Sequence, residues 1–86
     1  MPAPPDPDAF DTARRAFEAG LAAQQAGRPA EAEAHYRASL AALPGRPSTL
    51  TNLGVALLAQ GRADEALPLL QQASAAAPAH AEAWAH

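Results

Sequence analysis

The sequence predicts an all-α chain, an α-solenoid of antiparallel helix hairpins. Three observations carry this. Strong helix formers dominate, with alanine alone at 26 of 86 residues. β-branched residues reduce to Val55, Thr12, Thr49 and Thr51, too few to build a sheet. The chain also repeats itself at helix–turn–helix length. Sliding it by 34 residues aligns 13–46 with 47–80 and matches nine positions, among them Gly20/Gly54, Gly27/Gly61 and Pro44/Pro78. Alanine coincidences are cheap in this composition, but scarce glycines and prolines obeying one offset are not. A single hairpin cannot bury its apolar face alone, so such units must stack.

The elements follow in order. Residues 1–7, MPAPPDP, hold four prolines and are expected to form an extended or disordered leader before one domain over 8–86. Asp8 offers a helix N-cap and Asp11 a favourable first-turn charge, predicting a helix over roughly 8–26. Gly27 ends it, and Pro29 suits the first turn of a second helix over 29–43. The breaker 44-PGRP-47 follows, then a third helix over 47–60 with Ser48 and Thr49 in its first turn. Gly61 closes that helix. Asp64 and Glu65 open a fourth over 63–77, and a fifth begins at 81.

Two residues cut against helix propensity. Gly54 lies inside the third helix, where glycine costs about 1 kcal/mol relative to alanine. It is expected to stay small so that the returning helix can approach near Ala66. Pro68 lies inside the fourth helix, which predicts a kinked or loosened first turn, with regular helix starting later than Ala63. Leu53, Leu57, Leu67, Leu70 and Tyr36 are expected to fill the spaces between helices.

The pattern resembles the tetratricopeptide repeat (TPR), whose signature is W-x2-L-G-x2-Y, then A-x3-F, then P. The second repeat supplies Leu50, Leu53, Gly54, Leu57, Ala66, Leu70, Ala73 and Pro78, with leucines replacing the usual aromatics. The first supplies Ala16, Ala19, Gly20, Ala23, Ala32, Tyr36, Ser39 and Pro44. A third repeat opens at 81-AEAW-84, with Trp84 at the aromatic place. The resemblance implies a protein-interaction module that takes a peptide or partner domain in a concave groove.

Little in the sequence points to chemistry. There is no cysteine, hence no thiol nucleophile or thiolate metal site. The serines Ser39, Ser48 and Ser74 have no nucleophile elbow around them. Glu31 and His35 share a helix face but make only two metal ligands, and His80, Glu82 and His86 read as terminal polar residues. The glycines form no phosphate-binding loop. All six basic residues are arginine, scattered over a chain of net charge −3, which is thin for nucleic acid. No catalytic, cofactor or metal residue is assigned. No segment is apolar enough to span a membrane and no signal peptide opens the chain, so a cytoplasmic location is expected. The alanine-rich, lysine-free composition points to a bacterial source.

What remains is surface. By resemblance, the groove residues are Arg14, Phe17, Leu21 and Gln24 in the first repeat and Ser48, Thr51, Asn52, Val55 and Leu58 in the second. Without lysine, a carboxylate clamp of the lysine–asparagine type is not expected, and the groove reads as mostly apolar with an arginine at one edge. The partner is expected to be a protein or peptide, not nucleic acid or membrane. The chain stops within its third repeat, so it is expected to be the N-terminal piece of a longer protein. That reading carries an alternative function: the substrate-recruiting segment of an enzyme such as a methyltransferase, sulfotransferase or glycosyltransferase. A third reading is a structural homo-oligomer that stacks through the uncapped end, with Leu70 and Trp84 at the contact.

Overall fold

The computed structural model describes residues 8–76. They form α1 (Ala9–Gln25), α2 (Pro29–Ala42), α3 (Pro47–Ala59) and α4 (Ala63–Ala76). Each helix lies within a residue or so of its expected span. No strand occurs among the described residues. The leader, the fifth helix, the opening of a third repeat and Trp84 fall outside them.

Sequence chemistry explains each boundary. Pro29 and Pro47 occupy the first turns of α2 and α3, where the missing N–H is harmless. α1 and α3 end alike. Gly27 and Gly61 take positive φ, 76° and 75°. Arg28 N–H then reaches the Ala23 carbonyl at 2.9 Å and Gly27 N–H the Gln24 carbonyl at 3.1 Å. Arg62 to Leu57 and Gly61 to Leu58 repeat that pair, both at 2.9 Å. These are Schellman closures, which satisfy orphan carbonyls and need a residue without a Cβ penalty at the left-handed position.

α1 packs on α2, α3 on α4, and α2 joins the two hairpins by packing on α3. Tyr36, Leu53 and Leu57 are fully or almost fully buried, among Ala23, Ala32, Ala56 and Ala66. Burying each such large side chain is worth about 1.5–3 kcal/mol. The alanines mainly let the helices approach.

The glycines at equivalent places in the two hairpins share one role. A methyl group at Gly20 would meet the Tyr36 ring, and one at Gly54 would lie 2.7 Å from Cδ2 of Leu70. Tyr36 and Leu70 are themselves one repeat apart. The neighbour that demands smallness at Gly54 is therefore the Leu70 side chain, not the helix backbone near Ala66. α4 inserts a large residue into the space left by a missing Cβ, and the helices need not touch more closely.

Two further expectations need correcting. α4 begins at Ala63 despite Pro68, its sixth residue. Pro68 is exposed. The carbonyl that loses its N–H partner, at Asp64, belongs to an exposed residue of the first turn, where water can serve it. Leu67 does not fill an inter-helix space, because it is 57% exposed. The register that turns Ala66, Leu70 and Ala73 inward turns Leu67 outward.

The hairpins are also joined by polar contacts centred on Glu33, which aligns with Leu67 in the second repeat and so has no counterpart in the repeat pattern. Glu33 on α2, with its side chain only 14% exposed, accepts from Arg62 at 2.7 Å and Gln60 at 2.9 Å through Oε1. Its Oε2 accepts from Arg37 at 2.9 Å. The Gln60 hydrogen bond first, then those from Arg37 and Arg62, hold the Glu33 carboxyl below its usual range, against the upward push of burial. Arg62 in turn grips Glu65 with two nitrogens, at 2.6 and 2.8 Å. One carboxylate thus ties α2 to the α3–α4 turn.

Candidate interaction cleft

The N-terminal halves of α1 and α3 flank a cleft of about 330 Å³. Phe10, Asp11, Ala13, Arg14 and Phe17 line it from α1. Ser39 of α2 contributes, and Arg46, Ser48 and Thr49 close the other side. Positions 10, 14 and 17 are spaced by four and three, which puts them on one face of α1.

The walls differ in rigidity. Phe17 is half-buried and packs on Tyr36, ring centroids 5.8 Å apart and tilted by 51°. Phe10 is 68% exposed and free to meet a ligand. Ser39 is buried and its hydroxyl donates to the Ala13 carbonyl at 2.8 Å, so it is not available as a nucleophile. Arg14 binds Asp11 at 2.7 Å and Glu18 at 3.5 Å. Its hydrogen bond, helped by the charge of Arg15, holds the Asp11 carboxyl below its usual range, so Asp11 is an anion at neutral pH.

The nine groove residues expected from sequence divide. Arg14, Phe17 and Ser48 line the cleft. Thr51, Val55 and Leu58 lie outside it but exposed; helical spacing from Ser48 places them on the same face of α3, with Val55 41% and Leu58 48% open. Asn52 and Leu21 are half-buried. Gln24 is turned inward, accepting the Tyr36 hydroxyl at 2.6 Å through Oε1. Leu70 is likewise half-buried over Gly54 and occupied within its own hairpin.

Sequence reasoning missed Phe10, Asp11, Ala13, Ser39, Arg46 and Thr49 as lining residues. Phe10 was within reach, since stepping back one turn from Arg14 finds it. Arg46 was hidden by its place in a loop breaker. Thr49 shows its burial only once α3 is docked.

The cleft offers apolar surface, charge and hydrogen-bonding groups, without a base beside a nucleophile. Among the described residues, no three His, Cys, Asp or Glu side chains come together as a metal site. Nor, among those residues, is any helix long and apolar enough to cross a membrane. Stacked hairpins that present a partly open face define a helical-repeat scaffold. The family model described as tetratricopeptide repeat matches residues 23–85. The chain belongs to the tetratricopeptide repeat family, whose members are generally protein–protein interaction modules and typically non-catalytic. No curated protein and no solved structure shows a significant match.

Proposed function

We propose that this chain binds an extended peptide segment of a partner protein across the face formed by α1 and α3. The cleft carries the reading: an open Phe10 beside a half-buried Phe17 forms a ready apolar seat at one end. From there the exposed stripe of Thr51, Val55 and Leu58 continues along α3. Apolar side chains left in water on a helix whose opposite face is already packed are candidates for a partner's anchor residues.

The test is a peptide array probed with the 86-residue chain. Wild type is compared with a Val55→Asp/Leu58→Asp variant, whose changes fall on exposed positions. The expected result is loss of peptide capture with unchanged thermal unfolding. Undiminished capture by the variant overturns the proposal.

A further inference from the structure

The two hairpins repeat each other at an offset of 34 residues in their contacts as well as in sequence. Tyr36 fills the space over Gly20 as Leu70 fills the space over Gly54. Arg28 pairs with Glu31 as Arg62 pairs with Glu65. The joint between the hairpins, α2 against α3, therefore has a counterpart at each end of the stack. α4 presents the face with which α2 receives α3. α1 presents the face with which α3 meets α2. Among the described residues no hairpin stands before α1 or after α4, and both faces are open. Glu33 and Gln60 are half-buried at the internal joint, whereas their counterparts Leu67 and Ala26 are exposed.

The chemistry changes on both faces at the same contact. At the internal joint the Glu33 carboxylate accepts from the Gln60 amide at 2.9 Å and from Arg62 at 2.7 Å. One repeat on, the carboxylate becomes Leu67, and one repeat back, the amide becomes Ala26. Only the arginine is kept, as Arg28. A polar pair has become an apolar pair on helices from opposite ends of the stack. Matched changes of this kind belong to faces that meet. Arg28 is not left without a counter-charge there, because Glu31 holds it at 3.6 Å, and its methylene stem can lie along Leu67.

We infer that this chain stacks head to tail with a second copy of itself. The C-terminal half of α1 and the Arg28 turn of one copy pack on the N-terminal half of α4 of the next, with Leu67 against Ala26 and the Arg28 stem. The contact is confined to these halves. Arg15 stands on α1 where Thr49 is buried on α3, and it is exposed and held by Asp11 at 3.3 Å. The two faces are different surfaces, so the contact is heterologous and each added copy offers a free end again. A joint of half a helix face is small, which makes the association weak and reversible. Ala19 and Ala26 lie across α1 from Phe10, Arg14 and Phe17, so stacking leaves the groove open and is independent of the peptide-binding reading.

Sedimentation equilibrium of the 86-residue chain over a range of concentrations tests this. The weight-average mass should rise with concentration and pass the dimer. Leu67→Arg, at an exposed position, sets two like charges together and should weaken association by roughly tenfold or more. Leu67→Glu should keep it, because Arg28 of the next copy then serves the new carboxylate as Arg62 serves Glu33. Arg28→Glu should restore association to the Leu67→Arg variant. Far-UV circular dichroism should be the same for all of them.

A mass that stays monomeric overturns the proposal, and a lowered Tm in monomeric Leu67→Arg would then assign the α4 face to residues 77–86 of the same chain. A mass that stops at the dimer overturns the head-to-tail arrangement. Equal loss with Leu67→Arg and Leu67→Glu overturns the pairing with Arg28, and undiminished association in Leu67→Arg overturns the choice of face.

Discussion

Replacing Gly20 by alanine should destabilise this protein, although alanine is the better helix former. A methyl group there lies 2.7 Å from Cδ1 and 2.9 Å from Cζ of Tyr36. The ring cannot easily yield. It is fully buried, flanked by Phe17, and its hydroxyl is held by Gln24 at 2.6 Å. Overpacking a filled core costs about 1–3 kcal/mol. Moving the ring off Gln24 forfeits a hydrogen bond of about 1 kcal/mol. The better propensity of alanine returns about 1 kcal/mol. The net is a loss of about 1–3 kcal/mol, and each kcal/mol lowers Tm by roughly 4–8 °C in a chain of this size.

The same change at Gly54 should be milder. Its new methyl group meets Cδ2 and Cγ of Leu70, at 2.7 and 2.8 Å, but Leu70 is half-buried, unbonded and able to turn outward. Overpacking near 1 kcal/mol then roughly cancels the propensity gain. Gly54→Leu has no such escape and should be severe. Urea unfolding followed by far-UV circular dichroism measures all three. A Tyr36→Leu background, which copies the second repeat into the first, should reduce the Gly20→Ala penalty. Wild-type stability in Gly20→Ala, or a penalty unchanged by Tyr36→Leu, would refute the account.

Three other outcomes are expected. Pro68→Ala should stabilise by about 2–3 kcal/mol, since an interior helix proline costs about 3 kcal/mol and its stiffening of the unfolded chain offsets under 1; thermal unfolding reads this. Ser39→Ala should cost about 0.5–1.5 kcal/mol through the lost bond to the Ala13 carbonyl, measured by urea titration. Glu33→Gln should make stability less dependent on acid pH. The folded Glu33 carboxyl titrates below the ordinary value of 4.5. Its stabilisation is thus complete above that pH and fades as pH falls through the folded value. Unfolding of wild type and variant across this range should converge at the acid end; a constant difference would contradict the hydrogen-bond assignment.

The repeat architecture was legible because its signals are local. Gly27 and Gly61 mark places where the chain needs positive φ, Pro29 and Pro47 mark first turns, and alanine permits helix everywhere else. Each of these acts within a few residues. The partial mismatch in the groove has the opposite origin. Gln24 and Leu21 have the right helical spacing for the open face, but spacing fixes only an angle around α1. How far that face is covered depends on Tyr36, which reaches Gln24 from α2.

By itself, then, the sequence determined that helices form, where they end and at what period they stack, since backbone stereochemistry and hydrophobic periodicity are written in neighbouring residues. Only the tertiary structure decided which residues meet across the turns. It set Tyr36 over Gly20 and Leu70 over Gly54, gathered Arg62, Gln60 and Arg37 on Glu33, and brought Arg46, Ser48 and Thr49 to one cleft with Phe10, Arg14 and Phe17. Those contacts join residues distant in the chain, and their geometry follows from helix packing and not from order along the sequence.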